Sequence, residues 1–272
     1  MRRAIRLAIV AATLLSFVLV TPAAAAVPPN DAPAGAIDVS VGTTVTQDTT
    51  EATTDDEQGL NEFCGAPAME AGVWFEITEP SDVTVAFNTE ESDYGTGILV
   101  FEGDPSDGLA LACGPGQVIV SLTGAVTYSL VVFGDGTTAA TSGEMILHVE
   151  EAIPAPEISV TIDPTALVNR SGQALITGTV TCTSTDGSGT VFEVFGDVTQ
   201  RVGRVLIRGF FDTFTEIPCD GSTQTWEAIV TGDNGLFAGG KAAAVAIAFG
   251  CTDVCTEGFA EATIRLRKGG NF

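Results

Sequence analysis

The apolar residues of this chain come in short runs that alternate with polar residues, broken at intervals of roughly ten by Gly, Pro, Asn or Asp. An amphipathic helix needs apolar positions three and four apart over several turns, whereas a period of two in short runs fits a half-buried strand. The clearest stretch lies between Tyr94 and Gly134. It holds Ile98-Leu-Val-Phe101, Leu109-Ala-Leu-Ala-Cys113, Val118-Ile-Val-Ser-Leu122 and Val126-Thr-Tyr-Ser-Leu-Val-Val-Phe133, separated by Asp104–Gly108, Gly114-Pro-Gly116 and Thr123-Gly124. Four such runs in succession predict an antiparallel meander. Further strands are predicted at Ile37–Thr46 around Gly42, at Gly72–Ile77 with Val73, Phe75 and Ile77 on one face, and at Asp82–Phe87 with Val83, Val85 and Phe87 inward. Glu144–Glu150 is expected to close the unit with Met145, Leu147 and Val149 inward and His148 outward. After Ile153-Pro-Ala-Pro156, strands are expected at Glu157–Ile162, Leu175–Cys182, Val191–Val202, Arg204–Phe211, Thr223–Val230, Ala242–Cys251 and Phe259–Lys268. The predicted fold class is all-β: two tandem antiparallel β-sandwich domains, residues 28–152 and 157–270, joined by a short stiff linker at 153–156. The second is immunoglobulin-like in broad outline.

Residues 1–26 read as a secretory signal peptide. Arg2, Arg3 and Arg6 precede an apolar run from Leu7 to Val20, and Ala24-Ala-Ala26 supplies a small-residue cleavage site. No second run has the length of a bilayer span, so the cleaved chain is expected to be secreted, extracellular and free of the membrane. Charge then divides the remainder. From Val27 to Ala152 there are 22 Asp and Glu and no Lys or Arg; from Ile153 to Phe272 there are 13 acids and 8 bases. The carboxylates of the first half are therefore solvated, neutralised by cations, or matched by a basic partner. Nucleic acid is excluded for that half, because phosphate binding needs positive charge.

Six cysteines in an exported chain imply disulfides. Six allow 15 pairings. If the two halves fold separately, Cys64 pairs with Cys113, and the local choice in the second half is Cys182 with Cys219 and Cys251 with Cys255. Loop entropy gives the two longer links about 4 kcal/mol each and the short one about 2 kcal/mol.

Asn30-Asp31, Ala52-Thr53, Trp74-Phe75, Ser92-Asp93, the strand Ile98–Phe101 with Gly103, Cys113, and Thr127-Tyr-Ser-Leu-Val-Val-Phe-Gly134 occur in an order that resembles bacterial pre-peptidase C-terminal domains, over residues 28 to 151. The resemblance implies a β-sandwich of jelly-roll type, appended to secreted hydrolases or surface proteins, with relatives that bind calcium and collagen or carbohydrate. No protease domain accompanies it here. The second half resembles secreted bacterial β-sandwich domains of unknown function.

The residues themselves point away from catalysis. One histidine, His148, is present, and there is no G-x-S-x-G turn, H-E-x-x-H helix motif, phosphate loop or dinucleotide fingerprint. Calcium is the cofactor that acids on strand-connecting turns would suit. Two turns offer ligands, the Glu90-Glu-Ser-Asp93 loop with Asp31 and the Glu102–Asp107 turn. Glu90, Asp93 and Asp104 are the candidate ligands, Asp93 and Asp104 flanking the two ends of one strand, and the competing reading is a set of solvated loop acids. For a sugar ligand, Trp74 and Tyr94 are the candidate contact residues, either as exposed stacking platforms or as packed core aromatics. An exposed row of Trp74, Tyr94 or Tyr128 on one face would mark a sugar-binding surface. The function expected is a secreted, non-catalytic binding or adhesion protein for extracellular polysaccharide or matrix protein. The alternatives are a spacer of the cell envelope and an accessory module of a secreted hydrolase system.

Overall fold

The computed structural model describes residues 26–54, 60–107, 110–269 and 272; the signal peptide expected at residues 1–26 lies outside them apart from Ala26. In the first half the strands are β1 (Ile37–Val39), β2 (Thr44–Asp48), β3 (Glu70–Thr78), β4 (Val83–Asn88), β5 (Thr96–Glu102), β6 (Ala110–Pro115), β7 (Gln117–Leu122), β8 (Thr127–Gly134) and β9 (Glu144–Glu151). They form two sheets, ordered β1-β3-β8-β5-β6 and β2-β9-β4-β7. Alternation places Val73, Phe75 and Ile77 of β3 in one core with Val85 and Phe87 of β4 and Met145, Leu147 and Val149 of β9. Each buried side chain of this size contributes about 1.5–3 kcal/mol relative to exposure.

The expected meander is not formed. β5, β6 and β8 lie in one sheet, but β7 pairs with β4 in the other. The break is at Gly116, whose φ of 66° lies in the left-handed region. A turn of that hand after Pro115 lifts the chain from one layer to the other. One pairing in this unit, β1 with β3, is parallel.

The outward face of the β3-β8-β5 layer holds a second, smaller core of Trp74, Leu99, Phe101, Val131 and Phe133. Leu60, Cys64, Ala66 and Met69 pack over it, and the Cys64–Cys113 disulfide ties this cover to β6. Trp74 stacks on Phe101 with ring centroids 6.2 Å apart.

In the second half the strands are β10 (Glu157–Val160), β11 (Thr165–Val168), β12 (Ala174–Thr183), β13 (Thr190–Val202), β14 (Val205–Pro218), β15 (Asp220–Val230), β16 (Gly240–Cys251) and β17 (Cys255–Lys268). They form one hydrogen-bonded sheet, β10-β12-β11-β17-β16-β13-β14, with β15 on β12. The sheet closes over a single apolar core. Across it Phe211 of β14 stacks on Trp226 of β15 at 5.6 Å, and the Trp226 indole N–H donates to the Thr161 carbonyl at 3.1 Å. Ala242, Ala244, Ala246 and Ala248 all point inward from β16, which is a strand throughout. Two features differ from expectation: β11 is an additional strand, and β14 runs on past Phe211 to Pro218.

The disulfides are Cys64–Cys113, Cys182–Cys219 and Cys251–Cys255. The last closes the turn between β16 and β17, and that turn holds the linker. Asp253 accepts the Ile153 N–H at 2.8 Å, and the Thr252 hydroxyl donates to the Pro154 carbonyl at 2.7 Å. One residue earlier, the Ala152 N–H donates to Thr84 of β4 at 2.9 Å. Among the described residues no helix is long and apolar enough to cross a membrane.

Candidate functional site

Beyond its covered apolar half, the outward face of the β1-β3-β8 layer turns polar. Register places Glu76 of β3 between Asp38 of β1 and Ser129 of β8, with Thr78 opposite Thr127 in the next row. At the boundary of the two halves lies an open groove of about 730 Å³, within the usual range for ligand sites. Trp74 and Glu76 lie in its floor beside Thr127 and Ser129. The Asp104–Ser106 turn forms one wall and the segment from Ala32 to Ala36 another.

The groove is held by its own hydrogen bonds. The Ser129 hydroxyl donates to the Gly103 carbonyl at 2.7 Å, and the Thr78 and Thr127 hydroxyls meet at 2.8 Å. Asp104 accepts the Ser106 N–H at 2.8 Å. The Ser106 hydroxyl, aided by that N–H, holds the Asp104 carboxyl below its ordinary pKa. A general acid needs the opposite shift. With no Lys or Arg between Val27 and Ala152, the lining from this half consists of carboxylates, hydroxyls, backbone groups and apolar surface.

Trp74, Tyr94 and Tyr128 are all buried and form no exposed row. Trp74 is 1% exposed, and its backbone N–H and C=O are taken by Asn30: the Trp74 N–H donates to the Asn30 carbonyl at 2.8 Å, and the Asn30 side-chain amide donates to the Trp74 carbonyl at 2.9 Å. It is packing for the groove floor rather than an exposed platform. Tyr94 and Tyr128 belong to the inner core, on the opposite face of the sheet. The Tyr94 hydroxyl accepts from Thr49 at 3.0 Å, and burial pushes its pKa up.

Glu90, Asp93 and Asp104 lie in separate places, as their positions on two different turns imply. β5 separates Asp93 from Asp104, a strand of seven residues that spans roughly 24 Å. Glu90 lies in a separate cleft with Asn88, Glu91, His148 and Glu150. Asp31 spends both oxygens on Thr53, accepting its N–H at 2.6 Å and its hydroxyl at 2.8 Å. Among the described residues, no group of three or more His, Cys, Asp and Glu side chains is placed to hold a metal ion. His148 faces outward as expected, bonded to Thr44 at 3.0 Å and paired with Glu91 at 3.3 Å.

No family model and no curated protein matches the chain. Solved structures that resemble it include a GH2 beta-galacturonidase from Eisenbergiella tayi (9% identity, 71% of this chain and 35% of that one, TM-score 0.23). A beta-glucuronidase from Bacteroides uniformis gives 8% identity, 71% and 26% coverage and a TM-score of 0.24. A beta-glycosidase from Bacteroides vulgatus gives 10%, 73% and 26%, and 0.22. The chain thus spans about a third of the first and a quarter of the other two. Superpositions this loose say nothing about a site or a reaction.

Sequence reasoning missed the exposed aromatics, which lie in the second sandwich. Phe214 is 80% exposed, Phe259 64% and Phe210 57%. Phe210, Asp212, Phe214 and Glu216 share one phase of β14, a signal hidden because the strand was expected to stop at Phe211. Within this face partial burial, with the Asp212 carboxylate beside it, raises the pKa of Glu193.

Proposed function

We propose that this chain is a secreted, non-catalytic binding protein whose first sandwich takes a neutral polyhydroxylated ligand, a segment of extracellular polysaccharide, in the groove over Trp74. One observation carries the reading: a preformed concavity lined by hydroxyls and carboxylates, with apolar walls and without a basic side chain. Sugar hydroxyls both donate and accept, so they match Glu76, Thr127 and Asp104, while the apolar wall of Ala32, Pro33 and Pro105 receives the C–H face of a ring. An anionic ligand would be repelled there. Three disulfides support an oxidising compartment, and the depressed pKa of Asp104 supports binding over acid catalysis.

Affinity electrophoresis through neutral polysaccharides tests this. The wild-type chain should be retarded by at least one of them. Thr127→Trp, which fills the groove from an exposed position, and Glu76→Gln should each reduce the retardation several-fold without lowering the melting temperature. Migration of wild type and both variants unaffected by every neutral polymer would leave the spacer reading in its place.

A further inference from the structure

All eight Lys and Arg residues after the linker gather at one end of the second sandwich, although they are scattered from position 170 to 268 in sequence. Lys241 of β16 pairs in register with Arg265 of β17. Arg201 of β13 and Lys241 each lie two residues past the last β13–β16 pair, Thr199 with Ala243. All three side chains are exposed, and their inward neighbours Gln200, Ala242, Ile264 and Leu266 are buried. Three adjacent strands thus present a row of like charges, an arrangement that costs stability by itself. Arg267 extends the row on β17, Arg204 sits in the β13–β14 turn, and Arg208 lies on β14 opposite Thr199. Asp233, whose N–H donates to the Arg208 carbonyl at 2.8 Å, brings an acid to the same end. Among the described residues no Lys or Arg has a carboxylate within ion-pair distance.

The same end holds a formed cavity of about 580 Å³. Arg170 and Lys268 line it, and Val168, Leu236 and Phe237 provide an apolar wall. Its shape is fixed by hydrogen bonds. Gln200, 2% exposed, donates to the Ala238 carbonyl at 2.7 Å and accepts the Ala238 N–H at 2.8 Å, while the Phe237 N–H donates to Gly172 at 3.1 Å.

We infer that this basic end is a second binding site, for an acidic polysaccharide bearing a carboxylate on each sugar. The cavity admits one sugar ring against its apolar wall, with Arg170 and Lys268 on the carboxylate. Neighbouring strands lie ~4.8 Å apart, close to the advance of one pyranose unit along a chain, so the Arg201–Lys241–Arg265 row meets successive charges. This site is separate from the groove and does not rest on it. A linear polyanion fits better than a second copy of this chain, because a ring-sized cavity has no use in docking one sandwich face on another.

The test is retention of the full chain on immobilised polygalacturonate. Retention is expected at low salt and should fall at least tenfold by about 0.5 M salt, where screening is far shorter than the ~10 Å of 0.1 M. Lys241→Glu with Arg265→Glu should abolish it, and the single exposed change Lys268→Gln should weaken it several-fold, with melting temperatures and neutral-polymer binding unchanged. Thr127→Trp should leave it intact. Failure of the wild type to bind at low salt, or binding indifferent to these variants, overturns the proposal. So does equal retention on single-stranded DNA. Salt-sensitive oligomers in sedimentation that vanish in the double variant would assign the surface to a second copy and overturn it as well.

Discussion

At the scale of single residues, Asn30 shows how a polar side chain can serve the fold rather than a ligand. It is fully buried, donates to the Trp74 carbonyl and accepts from the Gln47 side-chain amide at 2.6 Å. Removing its side chain deletes two hydrogen bonds, one of them buried, which costs about 1–3 kcal/mol. Asn30→Ala should therefore lower the urea midpoint by that equivalent, with an unchanged slope; no shift would show that Trp74 is held by other means. A second residue-scale expectation concerns pH. Glu193 has a pKa raised above its ordinary value, so the folded chain holds that proton more tightly than the unfolded chain. The linkage sign follows: this carboxyl favours folding where it is protonated and opposes it as pH rises through its folded pKa. Glu193→Gln should raise the melting temperature at neutral pH, and the gain should disappear below the carboxylate range. A pH-independent difference would locate the effect in packing instead.

At the scale of elements, the turn between β16 and β17 joins a disulfide, a hydroxyl and a carboxylate in five residues, Cys251 to Cys255. Thr252→Val removes the donor to Pro154 at nearly constant volume. Limited proteolysis should then cut faster between residues 152 and 157, while the melting temperature moves little; unchanged cleavage would show that the Asp253 bond alone holds the linker. Elements were also where the sequence was most readable. The inward sets Val73/Phe75/Ile77 and Met145/Leu147/Val149 followed from alternation, because period two leaves one choice of face once a core exists. Which sheet a strand joins was not readable: β6 and β7 look alike, and only the left-handed turn at Gly116 parts them. β14 escaped past Phe211 because its outward positions carry Phe210 and Phe214, which blur the contrast that marks a strand. The groove was hidden for a related reason. Glu76, Asp38 and Ser129 are neighbours through register, from three strands far apart in sequence.

For the whole molecule the governing quantity is where the charge sits. The first sandwich and its lead-in hold 22 carboxyl residues without a Lys or Arg, and self-repulsion of this kind destabilises a compact state. Its unfolding temperature should rise steadily from low salt to about 0.5 M, where screening is short-ranged; calorimetry showing a flat or falling trend would mean that bound cations already neutralise it. The opposite end was invisible in sequence, since topology alone brings Arg170 and Lys268 to one cavity and Arg201, Lys241 and Arg265 to one row. Along β16, Lys241 and Cys251 stand ten residues apart, roughly 34 Å, and the Cys251 turn grips the linker. Successive amides, of Ala152 and Ile153, are thus tied to opposite sandwiches, and no unbound peptide lies between those two bonds to act as a swivel. A molecule that settles on an anionic surface by its cationic tip therefore stands with its acidic half directed outward. A coat of such molecules would keep the surface's negative sign.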